Sequence, residues 1–289
     1  MLGICVVYLV PDTESSVLLR LSLEKLRAYT SGDFKIYGYP LRMEPDNLEI
    51  LRKFMVEISD QQPESGPCTH ISLEHSYYLD YLVDRAFAEG CTYVATFDPD
   101  SWPLVQDWNK WYQENLTTEI PVAAIVRSEM GDNFTLSAFT MIHNSFWRTG
   151  ESSFNTQLRA HFHPDIEKMI TRSGETGAGI YAQLIRDNQS FLPLYRTNTW
   201  NPHIVMCGVY GNTVFHLGAG SRKPRFITDQ NEFSLNGDAI RNRYCTAVNS
   251  AKRKFYINAL TRHEEEFMQS LYGMEPPLHL PAVRAGMPG

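Results

Sequence analysis

Several things are scarce or missing in this chain of 289 residues, and each absence removes a class of function. No apolar run approaches the roughly 20 residues of a membrane-spanning helix. The five cysteines, Cys5, Cys68, Cys91, Cys207 and Cys245, lie far apart with no C-x-x-C pair. That excludes a zinc site of paired cysteines and a disulfide framework, and leaves buried free thiols as the expectation. Basic charge is in deficit: 26 Lys and Arg face 33 Asp and Glu, a formal charge of −7. This balance argues against a nucleic-acid binder driven by phosphate neutralisation. No internal repeat and no low-complexity linker divides the chain, so one domain is expected.

What is present is an ordinary globular composition, 43% hydrophobic and 20% charged, in a chain long enough to bury a large core. The opening Met1–Val10 is apolar but has no basic n-region and stops at Pro11-Asp12. It reads as a strand rather than a signal peptide, so the cytoplasm is the expected compartment.

The N-terminal part alternates strands and helices. Ile4–Val10 is a β-branched strand, and leucines at 18, 19, 23 and 26 give Ser16–Tyr29 a helical spacing. Phe34–Tyr39 reads as a strand, Pro45–Ile58 and Leu73–Glu89 as helices, with Gly90 ending the latter. An order of this kind implies a mostly parallel sheet with helices on its faces. Further on, Val105–Gln113 and Thr176–Asp187 read as helices, and Val122–Arg127, Leu136–His143, Ser190–Leu194 and Thr213–His216 as strands. Asp165–Arg172 fits a short helix, and Ile240–Leu271 one or two terminal helices. The four prolines after Gly273 point to a flexible or extended tail.

The run Thr92-Tyr93-Val94-Ala95-Thr96-Phe97 reads as a buried strand that ends in Asp98-Pro99-Asp100. In an open α/β sheet the ligand crevice lies outside the carboxyl ends of the strands, where these two acids would sit. Paired carboxylates suit Mg²⁺ or Mn²⁺, which share their remaining positions with water and phosphates. D-x-D also caps helices and closes turns, a reading that stays open on the tripeptide alone.

Four pieces in order resemble a glycosyltransferase of the GT-A fold, family-2-like, within the nucleotide-diphospho-sugar transferases. They are Tyr8-Leu9-Val10-Pro11-Asp12 and the helix–strand–D-x-D run from His75 to Asp100. Ala138–Trp147 is the third, and Gly174-Glu175-Thr176-Gly177 with Phe215-His216-Leu217-Gly218-Ala219-Gly220-Ser221-Arg222 the fourth. The resemblance covers roughly residues 3 to 225 and implies an α/β architecture: a single Rossmann-like GT-A domain over 1–235, a helical extension over 236–272 packed on it, and the tail from 273 to 289.

The same resemblance implies a metal-dependent hexosyltransferase that carries a sugar from a nucleotide-diphosphate donor to a hydroxyl acceptor. Asp98, Asp100 and His216 would hold Mn²⁺ or Mg²⁺. Tyr8, Pro11, His75, Asp98, Ser221 and Arg222 would face the donor, with UDP or GDP as its nucleotide. Glu175 would be the general base toward the acceptor, although an acid before a helix also serves as a cap. Trp102, Trp147 and Trp200 would offer faces to a sugar ring, whereas Trp108 and Trp111 read as core. The helix before D-x-D carries His75-Ser76-Tyr77-Tyr78 where many family-2 enzymes carry an arginine or asparagine pair.

Two other readings use the same residues. Phosphohydrolases with an aspartate nucleophile also place D-x-D after a strand, but near the N-terminus and with Thr or Val two positions beyond the second acid. Here the pair is mid-chain and followed by Ser101-Trp102. A non-catalytic nucleotide-sugar-binding module is the other.

Overall fold

The structure, a computed structural model, describes residues 1–10, 13–59, 71–159, 162–198, 206–218, 255–271 and 282–286. Its centre is β1 (Leu2–Tyr8), buried along its whole length. The strand is continuously apolar because it has a parallel neighbour on each side, β2 (Phe34–Pro40) and β4 (Tyr93–Phe97), and helices cover its sheet. Beyond β2 lies β3 (Val56–Ile58), again parallel. Beyond β4 comes β7 (Leu136–His143), which runs antiparallel and pairs Phe97 with Phe139. β6 (Val122–Ile125) is antiparallel to β7 and parallel to β8 (Ser190–Leu194). β11 (Val283–Arg284) closes that edge.

The order is therefore β11-β8-β6-β7-β4-β1-β2-β3. Six strands point one way, and β7 and β11 the other. This is the expected α/β fold, a mostly parallel sheet flanked by helices.

Helix α1 (Thr13–Tyr29) follows β1, α2 (Pro45–Lys53) follows β2, and α3 (Ile71–Ala88) leads into β4. α3 lies against β1 and β2, burying Leu79, Leu82, Val83 and Ala86. The remaining helices are α4 (Trp108–Asn115), α5 (Pro164–Lys168), α6 (Ala178–Arg186), α7 over residues 255–262, and α8 (Glu264–Leu271).

A second, three-stranded sheet has the order β5-β10-β9, built from β5 (Ser101–Pro103), β9 (Gly208–Tyr210) and β10 (Val214–His216). It shares an apolar cluster with the terminal helices, in which Trp102, Phe215 and Leu217 join Leu18 of α1, Tyr256 and Leu260 of α7, and Leu271 of α8. The helical part of the expected extension that is described thus packs on α1 and this small sheet. The expected boundary at residue 235 falls outside the described residues. Within the expected tail, Val283 and Arg284 pair with Phe191 and Ser190.

Most of the predicted elements are present, with ends displaced by a few residues. The predicted Pro45–Ile58 helix divides into α2 and β3. Met55 turns the chain between them at φ 51, and Arg27 of α1 donates to the carbonyls of Phe54 and Met55. That left-handed residue, which no glycine announces, lets Val56–Ile58 join the sheet. β4, residues 93–97, runs to the carboxyl edge of the sheet and delivers Asp98 there, as the sequence predicts.

Candidate active site

The carboxyl edge gathers the ends of β1, β4, β6 and β8, the N-terminal end of the reversed β7, and the first turns of α3 and α6. Asp98 follows β4 directly. Ser101 locks the turn that carries both acids: its Oγ accepts from the Asp98 N–H at 2.8 Å and lies 2.7 Å from the Ala138 carbonyl oxygen, to which it donates. Asp100 precedes β5, and its carbonyl accepts from the Leu217 N–H at 2.9 Å. The β5–β10 ladder sets His216 opposite Ser101. A residue more than a hundred positions from the acids is thereby brought to them by a short antiparallel register.

The result is a convergence of three side chains. One ligand atom each from Asp98, Asp100 and His216 lie within 4.8 Å of one another. His216 Nε2 stands 3.7 Å from Asp100 Oδ1 and 3.8 Å from Asp98 Oδ2. Those gaps exceed hydrogen-bonding distance. They match ligands held about 2.1 Å from one hard cation, which lie roughly 3–4 Å apart. Two carboxylate oxygens and an imidazole form a donor set acceptable to Mn²⁺ and, less readily, to Mg²⁺. The Asp100 side chain is only 3% exposed. The carboxylate beyond the strand end is therefore enclosed by protein rather than open to solvent.

His75 lies on the first turns of α3 with Nε2 3.9 Å from Asp98 Oδ1, so it joins the same group from the helix side. Tyr8 ends β1 fully buried, its ring so close to Gly38 of β2 that an added Cβ there would sit 2.9 Å from Tyr8 Cε2. Its hydroxyl has no hydrogen-bond partner among the described residues, and burial pushes the phenol pKa up. Pro11, Ser221 and Arg222 lie outside the described residues, as does Trp200.

Glu175 sits two residues before Gly177, which is the N-cap of α6 and makes no side-chain cap bond. The carboxylate of Glu175 serves no cap either. It accepts from Ser72 Oγ at 3.0 Å, on the first turn of α3, while Thr176 Oγ1 donates to the Ser72 carbonyl. Glu175 and His75 are consequently attached to the same end of one helix. Two expected sugar-facing rings are core instead. Trp102 is fully buried against Phe215 at a ring distance of 4.7 Å, and Trp147 is buried with its Nε1–H donated to Asp84. Trp108 is core, as expected.

Ser72, Ser101 and the buried Asp80 escaped the sequence reading. A serine carries almost no signal of its own. Asp80 had one: an acid set among the apolar positions Leu79, Leu82 and Val83 of α3.

No protein-family model matches the chain, and no curated protein does. Solved structures similar to it include a candidate nucleotide-diphospho-sugar transferase from Desulfovibrio desulfuricans, at 12% identity over 88% of this chain and 97% of that one, with a TM-score of 0.43. Staphylococcus aureus TarS is similar at 10% identity over 93% of this chain and 76% of that one, with a TM-score of 0.42. The galactosyltransferase LgtC, in complex with donor and acceptor sugar analogues, matches at 14% identity over 50% of this chain, with a TM-score of 0.33. The chain spans 59% of the length of that LgtC structure. At this level of likeness none of these names carries an activity over to this chain.

Proposed function

We propose that the chain is a metal-dependent glycosyltransferase of the hexosyltransferase type. It moves a sugar from a nucleotide-diphosphate donor to a hydroxyl of a glycan, lipid or small-molecule natural product. The observation that carries the reading is the convergence of Asp98, Asp100 and His216 at the carboxyl edge of the sheet. Mn²⁺ or Mg²⁺ would be held by these three side chains. When bound, the ion supplies Lewis-acid charge neutralisation for a leaving diphosphate.

The protein groups have separate tasks in this reading. His75, Tyr8, Pro11, Asp98, Ser221 and Arg222 form the donor side. Glu175 takes the proton of the acceptor hydroxyl, and Ser72 orients its carboxylate by donating to Oε2. The catalytic unit is taken to run over residues 1–235, with 236–272 packed on it, in the cytoplasm. Among the described residues no helix is long and apolar enough to cross a membrane.

The test is a thermal-shift screen of UDP, GDP, ADP, CDP and dTDP with and without Mn²⁺, followed by mass spectrometry of acceptor mixtures. A ligand at a hundred times its Kd adds about 2.7 kcal/mol of apparent stability, several degrees for a chain of this size. The shift is expected only with metal and nucleotide together, since each completes the other's shell, and UDP or GDP is expected to lead. No metal-dependent shift with any of the five would overturn the proposal. Donor hydrolysis without transfer would favour the phosphohydrolase, and binding without turnover the sugar-binding module.

A further inference from the structure

Helix α3 holds the Glu175 segment at a second place, one that the proposed chemistry does not itself require. Asp80, fully buried on α3, accepts from Ser153 Oγ at 2.6 Å and from the Phe154 N–H at 2.8 Å. Ser153 Oγ in turn accepts from the Asn155 N–H. The loop fixed in this way grips the residues on both sides of Glu175. Asn155 Nδ2 donates to the Gly174 carbonyl at 2.7 Å, and Thr156 Oγ1 to the Ser173 carbonyl at 2.8 Å. The Phe154 carbonyl accepts from the N–H groups of Gly177 and Gly179, at 2.7 and 3.1 Å.

The packing at these contacts leaves no slack. A Cβ on Gly179 would lie 2.3 Å from the Ser153 carbonyl oxygen, and one on Gly177 2.1 Å from that of Thr135. Gly177 also has φ +108, a left-handed conformation that glycine tolerates and other residues rarely adopt. The segment that carries Glu175 is therefore held by the Ser153–Thr156 loop on one side and by Ser72 and Thr135 on the other, and the loop is in turn held by Asp80. Because α3 also bears Ser72 and His75, one helix fixes Glu175 relative to Asp98.

We propose that Asp80 is a positioning residue: it holds the Ser153–Thr156 loop on α3 and so sets the reach of the Glu175 carboxylate toward an acceptor. The proposal rests on the reading of Glu175 as the base. The charged groups facing Asp80 are Arg159, with Nε 3.8 Å from Oδ2, and Asp84, which Arg159 Nη1 binds at 2.6 Å. Burial pushes the Asp80 carboxyl up to about 7, against the opposing pull of Ser153, Arg159 and the Phe154 N–H. In either protonation state an oxygen remains for the Phe154 N–H, so an amide at this position should serve in its place.

The experiment compares wild type, Asp80→Leu, Asp80→Asn and Thr156→Val in the full chain. Its readouts are hydrogen exchange over residues 173–180, kcat and donor KM with the nucleotide sugar that the screen selects, and the UDP or GDP shift with Mn²⁺. Asp80→Leu keeps the branched shape, with methyl groups larger than the oxygens, but leaves the Phe154 N–H and the Ser153 hydroxyl without their acceptor. It is expected to speed exchange at Gly177 and Gly179 and to lower kcat about a hundredfold, as a small misplacement of a reacting group does. Donor KM and the nucleotide–Mn²⁺ shift are expected to hold.

Asp80→Asn is expected to restore both exchange and kcat. Unchanged exchange or unchanged kcat in Asp80→Leu would overturn the proposal, as would an Asn variant as poor as Leu. If Asp80→Leu does not fold, Thr156→Val decides: faster exchange over 173–175 with kcat down about tenfold supports the proposal, and no change in either overturns it. A wild type that turns over no nucleotide sugar removes the transferase reading, whereas exchange alone still decides whether Asp80 holds the segment.

Discussion

His216 and Ser101 face each other across the β5–β10 ladder, and that register brings the imidazole to 3.7 Å from Asp100. Ser101 also anchors the turn of Asp98, so a single residue ties both acids and the histidine into one unit. The pairing is therefore as much a part of the candidate metal centre as Asp98, Asp100 and His216 themselves.

Asp100→Asn follows directly from this arrangement. The amide keeps the shape of a side chain that is 3% exposed, and the Asp100 carbonyl that holds the Leu217 N–H is main chain. Metal-free stability should change by no more than about 1 kcal/mol. Metal-dependent turnover should fall by several kcal/mol of transition-state stabilisation. Calorimetry without metal and kcat with saturating Mn²⁺ check the two halves; near wild-type turnover would exclude Asp100 as a ligand.

Glu175→Gln separates the base from the cap. Gln retains an oxygen to accept from Ser72 Oγ, so the α3–α6 contact should survive. A base removed in this way costs about 10²–10⁴ in the chemical step, with donor affinity nearly unchanged. Single-turnover rates and donor KM measure both. A kcat equal to wild type would leave Glu175 a structural partner of Ser72 only.

The fold was legible where a strand is long and lies inside the sheet. β1, β4, β7 and β8 announce themselves as apolar or β-branched runs because neighbours bury them on both sides, and the pair of acids after β4 is visible for the same reason. β3, β5, β9 and β11 are two or three residues long. Strands so short exist only because a partner from elsewhere offers a free edge, and Ser101-Trp102-Pro103 even contains a proline. Since β5 and β10 build the candidate metal centre, His216 was reachable from the sequence only through the resemblance of its surroundings. Trp102 misled because an indole reads alike in a sugar platform and in a core, and only the position of Phe215 decides.

Acid stability should depend on Glu89. The Lys35 hydrogen bond at 3.0 Å, with those of Arg85 and Tyr37 at 2.9 Å, holds its carboxyl down at about 2. The folded pKa is depressed below the unfolded value of about 4.3, so the stabilisation is present above that value and is lost as pH falls through about 2. The side chain is 32% exposed, which limits the contribution to about 1 kcal/mol. Glu89→Gln should lower Tm at pH 7, and the gap to wild type should close between pH of about 4.5 and 2. A gap that does not vary over that window would mean the ion pairs are idle.

His216→Ala bears on which cation the site prefers. Imidazole is a better ligand for Mn²⁺ than for Mg²⁺, which favours oxygen throughout. The side chain packs at a strand end beside the acids, and its pairings with Ser101 of β5 and Gly208 of β9 are main chain, so its removal should leave the β5–β10 ladder paired. With Asp98 and Asp100 left in place, the nucleotide-dependent thermal shift in Mn²⁺ should shrink by several degrees, and the shift in Mg²⁺ by less. Lys168→Ala, at an exposed position on α5, should alter neither. His216→Asp restores a third oxygen and should recover the Mg²⁺ shift ahead of the Mn²⁺ shift. If His216→Ala weakened both cations equally, the imidazole would act on the positions of the acids rather than on the ion. If it weakened neither, the metal centre would consist of the two carboxylates and whatever the nucleotide brings.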